Sequence, residues 1–497
     1  MTHLSRRRCL EYVGQWLALG GAGLLAACQS PQPQITVPAP TQAPTARPPL
    51  QPAASPSPAA AASPSPVAGA AVAGKPMYQM DARHTGRSPH TGPRRLTVLR
   101  SFNSGDPAQR PSDPLVNVLD VQSSTAIGPD GTIYATNYFG WLFALKDSSS
   151  SSNSLDLAWR FRPPNASPFH GTPALSADGR TVYVAFTTRT GDVSRVGLFA
   201  VRAPASGQDG QVVWQTDVGE APAIPAGNSP TLGPDGTLYY VNALGLLSAL
   251  DSNSGNLRWT VQTGNGQAAQ FGQTVKVAPA VGPDGTVYTT ALTGSLFAVS
   301  PPAGSGSQGS IKWTFNFSEH LGPTPLISAP VTGPPNRGQD AVGSGASATI
   351  GPDGTIYVGA NNSNFYAVDP NGQQRWLYEA ERELAGIWTT AALSADSSVL
   401  FFGANKGGIY ALATRDGTLR WQYPVYGSIY ASPALDSRGT LYAGTTSGQV
   451  LALDSSNGDL LAAADAGQAV WSAPSIRPDG RLVTADRSGK ILLLGET

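Results

Sequence analysis

The stretch AIGPDGTIYATNYFGWLFAL, residues 126–145, contains the pattern that decides the fold. An apolar pair precedes Gly-Pro-Asp-Gly, and two short apolar runs, Thr-Ile-Tyr and Leu-Phe-Ala-Leu, follow it. Proline presets φ in such a turn and glycine accepts a positive φ, so the string predicts a tight reversal between two short strands and a third strand after them. A fourth run, ending near Trp159, completes a unit of four strands.

This unit recurs eight times at intervals of about 41 to 69 residues, which is typical of propeller blades. The turn recurs at Asp130, Asp178, Asp235, Asp284, Asp353, Asp396, Ser437 and Asp479. The third strand recurs from Leu142, Leu198, Leu247, Leu296, Phe365, Ile409, Val450 and Ile491. We therefore predict an all-β fold, an eight-bladed β-propeller of four-stranded antiparallel blades, with seven blades as the alternative.

The fourth strand carries a tryptophan in six units, at Trp159, Trp214, Trp259, Trp313, Trp376 and Trp421. Leu461 takes this tryptophan position in the seventh unit, and the chain ends too soon after Leu494 for an eighth fourth strand. The segment from Leu99 to Phe102 fits the missing strand, with Phe102 in the tryptophan position. We expect this N-terminal strand to close the last blade, because closure removes the open sheet edges of the ring.

The repeat also resembles a known family. The strings ALDSNSGNLRW (249–259), AVDPNGQQRW (367–376) and ALATRDGTLRW (411–421) resemble the tryptophan-docking repeat of quinoprotein dehydrogenases, which use pyrroloquinoline quinone (PQQ). Residues 76–497 are also similar to the propeller lipoproteins of the outer-membrane protein assembly machinery, a family that shares the repeat without the cofactor. The residues characteristic of WD40 and kelch repeats are absent from this sequence.

The N-terminus reads as an export signal. Arg6, Arg7 and Arg8 precede an apolar stretch, and the string from Leu25 to Cys28 resembles a bacterial lipobox. The resemblance implies a lipoprotein signal peptide over residues 1–27, lipidation of Cys28, and an extracytoplasmic, membrane-anchored protein that is either periplasmic or on the cell surface. The string around the arginines also resembles a twin-arginine motif, so both export routes stay open.

Residues 28–75 are nearly all Pro, Ala, Ser, Thr and Gln, a composition that predicts a disordered tether before the propeller at 76–497. Cleavage would leave Cys28 as the one cysteine, so no internal disulfide is expected. Without residues 1–27, the chain has 29 basic and 31 acidic residues and no basic run, which argues against nucleic-acid binding.

We find no catalytic constellation in the sequence. The acidic residues concentrate in tight turns, the five histidines lack metal-ligand spacing, and no nucleophile motif lies in a suitable context. The adjacent cysteines often found beneath the cofactor of quinoprotein dehydrogenases are absent. We therefore expect no cofactor and no metal, and PQQ with calcium enters only under an alternative interpretation.

Candidate binding residues lie on the side of the ring that carries the second-to-third loops and the connections between blades. The residue four positions before the first strand of each blade is expected at the mouth of the central channel, and we call this the channel-mouth position. The residues there are Gln122, His170, Gly227, Lys276, Gly345, Trp388, Tyr430 and Trp471. The second-to-third loops contain Asn137, Asn242, Asn361, Asn405, Thr445 and Asp486. The aromatic rings in three successive blades would suit a sugar, a quinone or an apolar peptide side chain, and simple packing is the alternative. Long loops at 187–195 and 316–345 lie on the same side.

Three functions remain open. The first is a monomeric, lipid-anchored envelope scaffold that engages an envelope protein or a polysaccharide, possibly in envelope protein assembly. The second is a PQQ-dependent oxidoreductase, which rests on the repeat resemblance alone. The third is a carbohydrate-binding wall protein.

Overall fold

A computed structural model describes residues 74–105, 121, 123–148, 152–166, 171–190, 193–220, 228–264, 277–291, 294–304, 306–320, 346–380, 386–405 and 407–496. Within these residues, eight four-stranded antiparallel sheets form the propeller. One short 3-10 helix, Phe317–Glu319, is the sole helix of the described part, which contains none long and apolar enough to cross a membrane. The predicted signal peptide, Cys28 and nearly all of the predicted tether lie outside the described residues.

Each blade runs outward from a two-residue inner strand to a longer outer strand. Blade 1 contains β2 (Ala126–Ile127), β3 (Ile133–Thr136), β4 (Leu142–Lys146) and β5 (Asp156–Phe161). Blade 2 contains β6 (Ala174–Leu175), β7 (Thr181–Thr190), β8 (Val193–Arg202) and β9 (Gln211–Glu220). Blade 3 contains β10 (Thr231–Leu232), β11 (Thr237–Val241), β12 (Leu246–Asp251) and β13 (Leu257–Gln262). Blade 4 contains β14 (Ala280–Val281), β15 (Val287–Ala291), β16 (Ser295–Ser300) and β17 (Ser310–Asn316).

The second half of the ring repeats this order. Blade 5 contains β18 (Thr349–Ile350), β19 (Ile356–Gly359), β20 (Asn364–Val368) and β21 (Gln374–Glu379). Blade 6 contains β22 (Ala392–Leu393), β23 (Val399–Ala404), β24 (Gly408–Ala413) and β25 (Leu419–Tyr423). Blade 7 contains β26 (Ala434–Leu435), β27 (Thr440–Gly444), β28 (Gln449–Asp454) and β29 (Leu460–Asp465). Blade 8 contains β30 (Ser475–Ile476), β31 (Leu482–Ala485), β32 (Lys490–Gly495) and, from the N-terminus, β1 (Thr97–Asn103).

The predicted closure by an N-terminal strand is confirmed. Strand β1 pairs antiparallel with β32, from Thr97 opposite Gly495 to Asn103 opposite Lys490. The eight-bladed prediction is therefore correct, and the seven-bladed alternative is not.

The assignment of Phe102 to the tryptophan position is wrong by two residues. In blades 1 to 6 the tryptophan lies opposite the third-strand alanine, as Trp159 lies opposite Ala144. The equivalent partner in blade 8 is Arg100, opposite Leu493, and in blade 7 it is Ala462, not Leu461. Every outer strand carries a bulge beside this position, and β1 reproduces it between Val98 and Arg100. Phe102, opposite Ile491, is instead equivalent to Phe161 of blade 1, which lies opposite Leu142, so the aromatic residue of β1 is not the one that aligns with the tryptophans.

The six tryptophans dock each blade onto the next. Four indole Nε1 groups donate to backbone carbonyls of the following blade: Trp214 to Ser252 (3.0 Å), Trp313 to Pro370 (2.9 Å), Trp376 to Thr414 (2.8 Å) and Trp421 to Ser455 (2.9 Å). The ring of each indole lies against a glycine of that blade, so close that a Cβ on Gly417 would stand 2.6 Å from Trp376. Glycine is therefore required on one side of each contact and tryptophan on the other.

A second set of contacts ties the blades together around the central channel. A backbone N–H two residues after the channel-mouth position donates to a hydroxyl of the next blade at six junctions. The hydroxyl acceptors are Thr172, Ser229, Ser347, Thr390, Ser432 and Ser124. The two remaining positions are Ala278 and Ala473, which have no hydroxyl to offer. We call this set the hydroxyl ring.

The segment before β1 fills one end of the channel, which the sequence analysis did not foresee. Carbonyls of residues 75–86 accept hydrogen bonds from the inner strands of six blades, at Ile127, Leu175, Val281, Ile350, Leu393 and Leu435. Its side chains reach the other two, since Lys75 Nζ donates to Ser475 (2.9 Å) and His84 Nε2 lies 3.4 Å from the Thr231 hydroxyl. These bonds lie beside the Gly-Pro-Asp-Gly turns. We call residues 74–92 the plug and this side of the ring the turn face.

Two basic side chains of the plug, Lys75 and His84, are buried. Burial lowers the pKa of Lys75 to about 7 and that of His84 to about 4. Both side chains are therefore held in their neutral forms more strongly than in water.

The tryptophan contacts predict a large effect of substituting Gly417, which has a φ of 73°. The change Gly417→Ala should lower the free energy of unfolding by about 2 to 4 kcal/mol, because the new methyl meets Trp376 in a strained backbone conformation. Gly304→Ala is the matched control, since Gly304 has a φ of 70° and open space around it. It should cost about 1 kcal/mol. Chemical denaturation of both variants checks this, and equal losses would show that the contact with Trp376 is unimportant.

The plug predicts a pH dependence of stability. Because the pKa of Lys75 is about 7 in the fold and near 10.5 when exposed, the unfolded chain binds more protons between these values. The contribution of Lys75 to the free energy of unfolding should therefore rise with pH above about 7, by up to about 1.4 kcal/mol per pH unit. Denaturation at pH 7, 8 and 9 should show a smaller rise for Lys75→Met than for the parent chain. Lys146→Met, at an exposed lysine, should keep the parent slope.

Candidate binding face

The face opposite the turn face carries the second-to-third loops and the connections between blades, and we call it the crossover face. Blade 2 rises furthest there, because β7, β8 and β9 are each ten residues long. The predicted loop at 187–195 is mostly strand, with Thr187 opposite Val196 and Thr188 opposite Arg195. Phe161, Phe186 and Phe199 pack together at its base with centroids 5.7 to 5.9 Å apart.

Blades 6, 7 and 8 bring the three predicted aromatic residues into one cluster. The rings of Trp388 and Tyr430 stack at 5.2 Å between centroids with 30° between their planes. Tyr430 meets Trp471 at 4.8 Å and 65°, an edge-to-face contact. All three side chains are half-buried. The repeat alignment thus placed three residues that are 41 or 42 positions apart in sequence side by side.

Arg487 completes the cluster, although the sequence analysis did not select it. Its guanidinium carbon lies 4.2 Å from the centre of a Trp471 ring, a cation–π contact. The Arg487 backbone N–H donates to Ala469 (2.9 Å), two residues before Trp471 in the same blade. Its position in the loop could have identified it. Arg487 follows Asp486, and it is Arg487 that aligns with Asn361 and Asn405 in the repeat. We call Trp388, Tyr430, Trp471 and Arg487 the aromatic cluster.

The contacts within the aromatic cluster decide what it can bind. Trp388 and Tyr430 stack on each other, and Arg487 covers one face of Trp471 while the Tyr430 ring packs against it. These contacts hold the three rings in fixed orientations. The cluster is a pre-organised apolar surface with one cation, a combination that is common in the core of protein-binding surfaces.

Asn361 and Asn405 lie beside this cluster and are almost fully buried, at 4% and 0% exposure. The Asn405 N–H donates to the carbonyl of Gly386 (3.2 Å), two residues before Trp388. A Cβ on Gly386 would stand 2.9 Å from the Asn361 Cα and 3.0 Å from the Trp388 Nε1. Within the described residues, the buried Asn361 Oδ1 and Trp388 Nε1 find no hydrogen-bond partner. These amides therefore line the boundary between blades 5 and 6 next to the aromatic cluster.

The other loop residues of the predicted set have structural roles. Asn137 Oδ1 accepts from the N–H groups of Phe139 and Trp141 (both 3.1 Å), and its Nδ2 donates to Ser104 of the neighbouring blade (2.9 Å). Asn242 makes the same bonds within its loop, and its Nδ2 lies 3.3 Å from the Val218 carbonyl. Thr445 accepts from Gln449 (2.9 Å) in the same way. These side chains cap the hairpins and do not face a ligand.

Asp486 occupies the same capping position but lacks the amide. Its Oδ1 accepts from Ser488 (2.9 Å) and Lys490 (3.0 Å), as an asparagine would. Its Oδ2 is buried and has no hydrogen-bond partner among the described residues. The Asp486 Oδ2, a hydrogen-bond acceptor, therefore occupies the place where Asn137 and Asn242 have the donor Nδ2.

Three predicted residues, Gln122, His170 and Lys276, lie outside the described residues, as do Gly227 and Gly345. Most of the long crossover predicted at 316–345 lies outside them too. Their contribution to this face stays a prediction.

The quinoprotein resemblance implies PQQ with calcium, so we compared the residues present with that group. In the part of the chain that the structure describes, no three or more His, Cys, Asp or Glu residues come close enough to hold a metal ion. Of the eight channel-mouth residues, the structure describes Trp388, Tyr430 and Trp471, whose rings pack on each other and on Arg487. These three rings offer no carboxylate to hold calcium, and we assign no redox step.

The capping geometry predicts that Asp486→Asn stabilises the protein. The amide would keep the Oδ1 bonds and add a donor, as Asn137 and Asn242 have, so the free energy of unfolding should rise by about 1 kcal/mol. Chemical denaturation measures this. Asn242→Asp is the reverse control and should lower stability by at least as much, because it creates the same unpaired acceptor. Destabilisation by Asp486→Asn would contradict this account.

Comparison with known proteins agrees with this architecture. A family model described as outer membrane protein assembly factor BamB matches residues 98–326 and 245–494. The crystal structure of BamB from Moraxella catarrhalis superposes with a TM-score of 0.56 and 16% identity, covering 81% of this chain and 100% of that one. No curated protein sequence matches the chain.

Quinoprotein structures are also similar. Quinohemoprotein alcohol dehydrogenase from Comamonas testosteroni gives a TM-score of 0.60 at 13% identity, covering 86% of this chain and 82% of that one. A europium-containing methanol dehydrogenase gives 0.60 at 12%, covering 85% and 98%. At these identities the likeness shows the fold alone. Because the family model spans most of the chain, from Val98 to Leu494, this protein belongs to the family of outer membrane protein assembly factor BamB.

Proposed function

We propose that this protein is an extracytoplasmic scaffold that binds an envelope protein through its crossover face. The observation that carries the proposal is the aromatic cluster, which three blades assemble on the crossover face. Tyr426 is 92% exposed and lies in the connection between blades 6 and 7, four residues before Tyr430. Trp, Tyr and Arg are the residue types that most often dominate protein–protein binding energy.

The cluster has the organisation of a protein-binding hot spot. Its rings are held by each other and by Arg487, so little side-chain entropy would be lost on binding. Tyr426 supplies a protruding ring with few restraints of its own, and Arg487 supplies a cation that also suits an acidic partner residue. The assembly role in the family's name supports a protein partner over a small substrate.

We further propose that the chain is anchored through lipidated Cys28, with residues 28–75 as tether. The described chain begins at Gly74 on the turn face, against Ile127 and Gly128, and the plug crosses the end of the channel there.

Two other functions are weaker. A PQQ-dependent oxidoreductase has the support of fold likeness to quinoprotein dehydrogenases, but the described residues contain no group of three or more His, Cys, Asp or Glu side chains that could hold a metal ion. A carbohydrate-binding wall protein would use the same aromatic rings, which pack on each other in the described structure. Dye-linked oxidation with added PQQ and calcium would identify the first, and glycan retention that depends on Trp388 would identify the second.

Photo-cross-linking in cells of origin tests the proposal. A benzoylphenylalanine at Tyr426 should give a discrete protein adduct, which mass spectrometry identifies. With the purified pair, Tyr426→Ser and Arg487→Glu should each weaken binding by about tenfold or more, since they remove the exposed ring and reverse the cluster's charge.

Leu419 provides the control for that experiment. It is 41% exposed on the outer strand of blade 6, away from the crossover face, so a photo-label there should not give the adduct and Leu419→Ser should leave binding unchanged. If the same adduct forms from Leu419, or if none forms from Tyr426, this face is not the partner site.

A further inference from the structure

The junction between blade 8 and blade 1 differs from the junctions that use tryptophan. Arg100 of β1 occupies the tryptophan position. Asp147 of blade 1 occupies the position whose carbonyl accepts from the indole elsewhere, as Ser252, Thr414 and Ser455 do. The Arg100 Nη1 lies 2.6 Å from the Asp147 Oδ1, so an ion pair replaces the indole contact.

Two further arginines of blade 8 converge on Asp147. Arg481 pairs with it directly, and the Arg477 Nη1 lies 4.0 Å from its Oδ2. Arg477 also pairs with Asp479 at 2.7 Å. The side chains of Asp147 and Arg477 are only 3% and 8% exposed. The junction thus holds three arginines against two aspartates, with Asp147 and Arg477 buried and Arg481 and Asp479 partly exposed, at 41% and 39%.

This arrangement holds the junction less firmly than tryptophan does. Buried ion pairs lose hydration that their mutual attraction only partly restores, whereas a docked indole gains from burial. The Arg477 Nε and Nη1 are buried and donate no hydrogen bond within the described residues. One positive charge is left without a counterion in the group of five.

Strand β1 and the plug belong to one continuous segment. Residues 74–92 fill the turn-face end of the channel, and residues 97–103 close blade 8. Between them, the Pro93 carbonyl accepts from the Tyr442 hydroxyl (3.0 Å), and Leu96 packs in the junction between blades 7 and 8, which has no tryptophan. These contacts must break before displacement of β1 can reach the chain that forms the plug.

We infer that the ring opens reversibly at the junction of blades 8 and 1, where β1 is a strap held by Arg100 and Asp147, and that strap release loosens the plug. The opening separates β1 from β32 and leaves the other seven blades closed. The turn-face end of the channel then becomes accessible. This device is independent of the partner site on the crossover face.

Hydrogen exchange followed by mass spectrometry tests the inference on the full chain. Amides of β1 should exchange at least tenfold faster than those of β17 and β21, outer strands whose tryptophans dock on the next blade. Amides of the plug should exchange at the same rate as those of β1, because one opening event exposes both. If the amides of β1 exchange fast while those of the plug exchange slowly, the two segments are not coupled and the inference is wrong.

Two variants separate this device from ordinary fraying. Asp147→Asn should accelerate exchange in the strap and the plug about tenfold and leave β21 unchanged. Arg100→Trp combined with Asp147→Ser and Leu155→Gly rebuilds the tryptophan contact, because Leu155 lies where the other junctions have a glycine, and should slow both segments to the rate of the other outer strands. Lys312→Gln, which breaks an exposed pair with Asp284, should change neither segment. If β1 exchanges as slowly as β21 in the parent chain, or if Asp147→Asn has no effect, the inference fails.

Discussion

The antiparallel pairing of β1 with β32 is the constraint on which the rest of the structure depends. A linear array of blades would leave the last blade without its outer strand and the first blade without a neighbour. Pairing the two ends of the described chain supplies both at once. With closure in place, all eight blades share one axis, and the inner strands come close enough for the hydroxyl ring and the plug to join them.

Two different interactions hold neighbouring blades, and they act at different radii. Near the axis the hydroxyl ring joins backbone to side chain, and it is interrupted where Ala278 and Ala473 replace a hydroxyl. Further out the tryptophans pack on glycines, and this contact is absent after blades 7 and 8. The N-terminal segment compensates at both outer positions, with Leu96 after blade 7 and Arg100 after blade 8.

The repeat pattern in the sequence predicted most of the fold and part of the candidate site. The turns and tryptophans sufficed for blade number and closure because each is a local signal with a fixed place in the unit. The register of β1 was assigned wrongly because its aromatic residue, Phe102, lies two residues after Arg100, which holds the tryptophan position without being aromatic. The plug escaped prediction because its bonds use backbone carbonyls, which leave no trace in side-chain pattern. The juxtaposition of Trp388, Tyr430 and Trp471 followed from the alignment, but the mutual packing of their rings depends on side-chain directions in three blades.

The plug has a consequence for how such a protein can change over generations. Propellers gain and lose blades by duplication or deletion of single repeats, since every blade contacts only its neighbours. Here one short segment contacts all eight inner strands, six through backbone bonds and two through Lys75 and His84. A ninth blade would find no partner in that segment, and a lost blade would leave its carbonyls without donors. The number of repeats is thereby tied to the length of a peptide that is not itself a repeat.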